Sequence, residues 1–102
     1  MDSIIQKDRD RCFICGRNPH ADICGLEEHH CFEGIGRRQT SERYGLKIYV
    51  CGSRCHRNGP NSIHQNAKVD RAVKKIAQKK AMEHYGWTTE QFIEKFRKNY
   101  ID

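Results

Sequence analysis

The spacing of the cysteines and histidines constrains this chain more than any other feature of its sequence. Cys12 and Cys15 form a CxxC pair, and Cys51 and Cys55 form a second pair with three residues between them. Four thiolates at such spacings can complete one tetrahedral zinc site. The chain has 102 residues, of which only 36% are hydrophobic, so its apolar core must be small and a bound metal would add stability. We therefore predict a structural zinc ion bound by these four cysteines.

The six cysteines also fit three disulfides in a secreted protein. No apolar signal segment opens the chain, since charged residues occupy much of its first ten positions, and this favours a reducing cytoplasm and zinc. A redox CxxC pair is disfavoured because no strand-helix-strand pattern surrounds it. Cys24 and Cys31 are left over and are interpreted as free thiols, although Cys31 follows the histidine pair directly and is an alternative to one of the four.

The histidines supply the ligand type that a second, open metal site needs. His29 and His30 are adjacent, His56 follows Cys55 directly, and His64 lies eight residues further on. Each histidine also has an ordinary interpretation. The adjacent pair could be one zinc ligand beside one surface histidine. His56 could be a ligand of the first zinc, and His64 could be an exposed residue or a helix cap. Neighbours on a strand point to opposite faces, so both members of the pair serve one site only where the strand ends or bends.

Residue patterns predict two strands joined by a loop. Residues 47–51 are β-branched and aromatic and come shortly after a glycine, which is typical of a strand. Residues 26–32 are a weaker candidate for a first strand, with the histidine pair near its end. Two glycines within residues 33–38 oppose any regular element, so a loop is predicted there. Residues 1–11 are a short helix or a loose lead-in.

Two helices are predicted in the C-terminal third of the chain. Pro60 suits the first turn of a helix, and an apolar stripe at helical spacing follows it: Val69, Ala72, Val73, Ile76 and Ala77. Gly86 is predicted to end this helix, and Thr88 with Gln91 forms a capping-box signal for the next. The buried face of that helix is predicted to hold Phe92, Ile93, Phe96 and Tyr100. Without repeats or a linker, residues 1–102 form one small α+β domain.

Positive charge favours a polyanionic partner. The formal net charge is +6, and residues 67–102 carry nine basic and five acidic residues, a net +4. Four basic residues lie along one side of the predicted helix: Lys68, Arg71, Lys75 and Lys79. This side could equally be a solvated surface or a phosphate-binding surface. Arg37 and Arg38 lie beside flexible glycines and could hold a phosphate in forked geometry. No run approaches the roughly 20 apolar residues of a membrane span.

The ordered set of motifs over about residues 12–66 resembles the HNH endonucleases of the ββα-metal class. It looks most like small phage-borne members, including those similar to the Ref recombination-enhancement nuclease. The residues that carry the resemblance are the CxxC pair, Glu28-His29-His30, a strand ending at Cys51, Cys55-His56, and Gly59-Pro60-Asn61-Ser62-Ile63-His64. Many family members place an asparagine shortly before the second strand, where this chain has Tyr44-Gly45-Leu46. Asn58 and Asn61 are the candidates in this chain for the role of that asparagine.

The resemblance implies a zinc-stapled ββα-metal core at residues 12–66 and a helical extension at 67–102 with two helices. It implies that His29 binds a catalytic divalent ion together with His64 and His56, and that His30 is the general base. The implied reaction is hydrolysis of DNA phosphodiester bonds, as an endonuclease or a nickase, leaving 5′-phosphate and 3′-hydroxyl ends. The implied setting is the cytoplasm of a bacterial host, with a phage or prophage origin.

Elementary chemistry is consistent with these roles. Imidazole titrates near pH 6.5, so a neutral His30 is a usable base at neutral pH. Imidazole ligands suit zinc, nickel or manganese, whereas magnesium prefers oxygen, and ligand type leaves all four open as the catalytic metal. No small-molecule cofactor is expected. The alternatives are a zinc-stapled nucleic-acid-binding module without catalysis and a protein-interaction zinc module; sequence preference and oligomeric state are not readable from the chain.

Overall fold

The computed structural model describes residues 2–7, 10–16, 26–34, 36–52, 56 and 62–101. Its elements, in chain order, are strand β1 (Leu26–His30), helix α1 (Arg37–Tyr44), strand β2 (Lys47–Cys51), helix α2 (Ala67–Tyr85) and helix α3 (Thr89–Phe96). Over the described residues this is a small α+β architecture, with a two-stranded antiparallel sheet and three helices. None of those helices combines the length and apolar character that crossing a membrane requires.

The two strands place the predicted metal ligands at opposite ends of one ladder. Leu26 lies opposite Cys51, and His30 lies opposite Lys47. The cysteine end and the histidine end are therefore separated by three to four residue positions, or roughly 10–14 Å at the usual rise of a strand. β2 is buried along most of its length, with Ile48 and Val50 fully inaccessible. The rigid, buried strand thus holds two ligand sets apart.

The chain before the sheet covers the outer edge of β2. Ser3 Oγ donates a hydrogen bond of 2.5 Å to the Lys47 carbonyl oxygen, and the Tyr49 amide donates one of 2.8 Å to Gln6 Oε1. The Phe13 amide donates to the Tyr49 carbonyl at 2.8 Å. A strand edge with free backbone groups invites pairing with other chains, and here side chains and a turn satisfy those groups. The described part of residues 1–11 is therefore a lead-in without a helix or strand.

A helix lies between the two strands and begins inside the segment 33–38 that the sequence predicts to be a loop. The described residues 33, 34 and 36 form no regular element, as predicted, but Arg37 and Arg38 already belong to α1, which begins directly after Gly36 (φ 78°) and ends before Gly45 (φ 70°). Both glycines take the left-handed conformation that glycine adopts at low cost. Ser41 Oγ donates to the Phe32 carbonyl at 2.8 Å and accepts from the Phe32 amide at 3.2 Å. This buried pair of bonds fixes α1 against the end of β1.

The predicted helix ends in the C-terminal third are confirmed by the caps. Gly86, at φ 69°, ends α2, and the Thr88 and Gln91 side chains form the capping box that starts α3. The start of α2 comes later than predicted, because the Asn66 side chain accepts from the amides of Lys68 and Val69 and caps the helix there. Pro60, Asn58 and Asn61, whose roles the sequence left open, lie outside the described residues.

Aromatic rings form the centre of the core between the sheet and α3. The Phe32 ring, fully buried, has its centroid 5.4 Å from that of Phe92, 4.7 Å from that of Phe96 and 5.2 Å from that of Tyr100. Phe92, Phe96 and Tyr100 are therefore buried as predicted, but α3 ends at Phe96, so Tyr100 lies beyond the helix on which it was predicted. Ile93 was predicted with them, but 36% of it is exposed because it lies one position around the helix from Phe92.

The buried line of α2 is narrower than the predicted stripe. Val73, Ala77 and Ala81 are buried and follow the four-residue spacing of one helix face. Ala72 and Ile76 were predicted to be buried but are exposed, Ile76 to 39%. Ala72 and Ile76 each directly precede a buried residue of α2 and lie on the side of the helix that faces away from the core. Sequence periodicity alone does not show where the buried face of a helix ends.

Candidate metal centres

Three of the four predicted zinc ligands meet at the Cys51 end of the sheet. The sulfur atoms of Cys12, Cys15 and Cys51 lie within 4.8 Å of one another, and Cys15 Sγ is 3.6 Å from Cys51 Sγ. Two sulfurs bound to one tetrahedral zinc at 2.3 Å lie roughly 3.8 Å apart, so the spacing suits a metal such as zinc. The fourth predicted ligand, Cys55, lies outside the described residues, as does Cys24.

The backbone around Cys12 is arranged to stabilise a thiolate. Cys12 Sγ accepts hydrogen bonds from the amides of Ile14 at 3.4 Å, Cys15 at 3.5 Å and Cys51 at 3.4 Å. The Gly16 amide closes the turn on the Cys12 carbonyl at 2.8 Å, with Gly16 at φ 72°. Burial, followed by the neighbouring thiols, raises the pKa of Cys51, so a cation is needed to hold its sulfur as a thiolate. Such a turn is typical of a zinc knuckle.

Cys31 does not take part in this thiol cluster. It is fully buried among the apolar core residues, and burial raises the pKa of its thiol. Among the described residues, the groups that could hold a metal include Cys12, Cys15 and Cys51 but not Cys31. The free-thiol interpretation of Cys31 therefore fits the structure.

Three of the predicted histidines converge at the other end of the sheet. His29 Nδ1 lies 3.2 Å from His56 Nε2, and His64 Nε2 also lies 3.2 Å from His56 Nε2. Two imidazole nitrogens bound to one tetrahedral zinc at 2.0–2.1 Å are separated by roughly 3.3 Å. The three rings come from β1, from the chain after β2 and from the turn before α2. Their nitrogens could therefore bind one metal ion.

Burial and a carboxylate prepare two of these rings as metal ligands. Burial, followed by the charges of His56 and His64, lowers the pKa of His29 to about 3, so its ring is neutral at neutral pH. His56 Nδ1 lies 2.9 Å from Glu27 Oε1 and donates its proton there. The lone pair of His56 Nε2 then faces the other two histidines. A carboxylate that orients a ligating histidine in this way commonly strengthens metal binding.

His30 lies beside the three converging histidines but is not one of them. Because it follows His29 on a strand, its ring takes the other direction, and His30 Nε2 lies 3.8 Å from Glu42 Oε1. Both histidines nevertheless line one cavity of about 370 Å³. The described residues that line this histidine cavity are Glu28, His29, His30, Glu33, Gly34, Arg38, His56 and His64. Within the described residues, His30 Nε2 has no hydrogen-bond partner.

Glu28, His30 and Glu42 form a third group of potential ligands, but a lysine already occupies it. Lys47 Nζ lies 2.5 Å from Glu28 Oε1 and 2.8 Å from Glu42 Oε2. Burial lowers the pKa of Lys47, but hydrogen bonds to the two carboxylates outweigh it and raise the pKa. The ammonium group stands where a cation would bind, so this group is an ion-pair cluster.

Two glutamates near the histidines were not predicted from the sequence. Glu27 lies on the same strand face as His29, and the two-residue period of a strand was the signal that could have identified it. Glu33 Oε1 lies 3.4 Å from His29 Nδ1 and 4.0 Å from His64 Nε2. Glu33 lies in irregular chain after β1, where no periodic pattern predicts its direction.

The basic residues predicted to bind DNA separate into two groups. Arg38 lines the histidine cavity, whereas Arg37, its neighbour on α1, does not. On α2, Lys68, Arg71 and Lys79 are exposed and Lys75 is partly buried, and none of the four lines that cavity.

Comparison of the chain with family models, with curated proteins and with solved structures gives no match. Function is therefore inferred from the geometry of the two clusters. One is a thiol cluster suited to a structural metal, and the other is a histidine cluster open to a cavity.

Proposed function

We propose that the protein is a metal-dependent endonuclease or nickase of the HNH type, which hydrolyses phosphodiester bonds in DNA. The observation that carries the proposal is the convergence of His29, His56 and His64 at the cavity that His30 also lines. An open ligand set beside a potential base is the arrangement that metal-assisted hydrolysis requires. The order of the motifs supports the same function.

The histidine cluster would hold the catalytic divalent ion through His29 Nδ1, His56 Nε2 and His64 Nε2. When bound, such an ion supplies positive charge to a phosphate oxygen and to the departing oxygen. Glu27 keeps the His56 ring in the orientation that presents Nε2 to the cluster. His29, His56 and His64 also line the histidine cavity, so substrate and water would have access to an ion held by these three residues.

His30 would take the proton from the attacking water. His30 lines the cavity, and its buried Nε2 has no hydrogen-bond partner among the described residues, so no hydrogen bond there competes for the proton. Glu42, 3.8 Å away, would then stabilise the imidazolium that results. Lys47 holds the Glu42 carboxylate in place through a bond of 2.8 Å. The Arg38 guanidinium, also in the cavity lining, would bind a phosphate oxygen.

The thiol cluster would bind a structural zinc ion. A metal held by Cys12, Cys15 and Cys51, with Cys55 as the fourth predicted ligand, would tie the N-terminal turn to the end of β2. A chain of this size gains much of its stability from such a link. Its place at the far end of the ladder from His30 keeps it out of the reaction.

Nicking of a supercoiled plasmid tests the proposal. The zinc-loaded protein is assayed with added Mg, Mn, Ni or Zn and with a chelator for the weaker site. His30→Ala should lower the cleavage rate about 10²-fold or more, as loss of a general base does, without loss of DNA affinity. His84→Ala is the matched control, because His84 is exposed in the last turn of α2. Cleavage by His30→Ala at the parent rate would remove His30 as the base.

The second candidate is a zinc-stapled nucleic-acid-binding module without catalysis. Nucleic-acid binding, with or without cleavage, is favoured by three exposed basic residues of α2 that do not line the histidine cavity: Lys68, Arg71 and Lys79. This candidate predicts DNA binding that weakens with salt and no nicking with any divalent ion. The plasmid assay therefore distinguishes the two.

A further inference from the structure

A second cavity adjoins the histidine cavity on the side of α1. It has a volume of about 560 Å³ and is lined by His30, Arg38, Gln39, Glu42 and Arg43. His30 and Arg38 line both cavities, so the two form one continuous concave surface. The proposed function uses only the first of them.

The residues from α1 in this lining share one side of the helix. Positions i, i+1, i+4 and i+5 of an α-helix face the same way, and the four α1 residues of the lining have this spacing. Ser41 faces the opposite side, where its hydroxyl is bound to the Phe32 backbone inside the core. The buried Ser41 contact therefore sets the direction in which Arg38 and Arg43 are presented.

The charge of this surface is positive. Among the described residues of the lining, Glu42 carries the one carboxylate, against the two guanidinium groups of Arg38 and Arg43, and it is bound to Lys47 Nζ. Arg38, Gln39 and Arg43 are exposed, and within the described residues neither arginine forms an ion pair. Arg43 lies with its Cζ 5.8 Å from the centroid of the Tyr44 ring, a contact that limits the directions its side chain takes.

We propose that this second cavity is a binding subsite for a flanking phosphate of the polynucleotide, next to the phosphate that reacts in the histidine cavity. Arg43 and Arg38 bind the phosphate oxygens, and Gln39 donates a further hydrogen bond. The inference rests on the proposed function and names how its substrate is held. It pairs Arg38 with Arg43, which shares the cavity lining, whereas the sequence prediction pairs Arg38 with Arg37.

The salt dependence of DNA binding tests the subsite. A labelled DNA duplex is titrated with zinc-loaded protein at several salt concentrations, with no added divalent ion so that the DNA stays intact. Loss of one phosphate contact lowers the slope of log K against log[salt] by about 0.9. We expect this change for Arg43→Ala, and recovery of the slope in Arg43→Lys, which keeps the charge.

Two comparators separate a subsite from diffuse charge. Lys80→Ala removes one exposed charge from α2, outside the lining, and should leave the slope as in the parent. Arg37→Ala removes the neighbouring arginine of α1 and should change the slope less than Arg43→Ala does. An unchanged slope for Arg43→Ala, or equal changes for all three alanine variants, would overturn the subsite.

Cleavage kinetics keep this result distinct from the proposed function. Arg43→Ala should raise KM by about tenfold and leave kcat close to the parent value, because Arg43 is not at the reacting phosphate. If the parent binds DNA through Arg43 but never nicks it, the proposed function fails and the subsite stands. If the parent nicks and Arg43→Ala keeps the parent KM and slope, the subsite fails and the function stands.

Discussion

Removal of the Glu27 carboxylate should weaken metal binding at the histidine cluster. Glu27 Oε1 accepts the Nδ1 proton of His56 at 2.9 Å, and this bond determines which nitrogen of His56 faces the metal position. Carboxylates that orient a ligating histidine typically contribute 10–100-fold to metal affinity. At about 1.4 kcal/mol per factor of ten, Glu27→Ala should cost about 1.4–2.8 kcal/mol of binding free energy.

Calorimetric titration of the zinc-loaded protein with Ni²⁺ or Mn²⁺ measures this loss, because the thiol cluster is already filled. Glu94→Ala is the matched control, because Glu94 is an exposed glutamate of α3 and does not line the histidine cavity. Glu94→Ala should therefore retain the parent metal affinity. Parent affinity in Glu27→Ala, or an equal loss in both variants, would refute the role assigned to Glu27.

Two further predictions concern stability. The folded chain keeps His29 neutral down to about pH 3, whereas the unfolded chain binds its proton near pH 6.5, so stability is lost as the pH falls below 6.5. Urea unfolding without added divalent ion should show the parent losing up to about 2 kcal/mol more between pH 7 and pH 5 than His29→Gln. A pH dependence equal in both proteins would contradict this. Ser41→Ala should cost about 1–3 kcal/mol, because it leaves two buried groups of Phe32 unpaired, and Thr40→Ala, on the exposed side of α1, is its control.

Local signals explain which parts of the fold were predictable. Gly86 and the Thr88 capping box depend on residues within one turn of the helix end, and β2 depends on a short β-branched run. These elements are observed where the sequence predicts them. Helix α1 was missed because its eight residues carry no apolar stripe, and its place depends on the buried Ser41 contact with the end of β1.

Residue type and order along the chain were enough to determine the chemistry available to this protein: thiols and imidazoles that could bind metals, and basic side chains in excess. Those properties belong to side chains and do not change with folding. The resemblance already implied that His29 groups with His56 and His64, but only the tertiary structure shows their nitrogens close enough to share one metal ion and places Arg43 beside Arg38 in one cavity lining. The physical reason is that these pairings depend on which faces of β1 and α1 turn toward chain segments distant in sequence, and side-chain contacts made in the core set those faces.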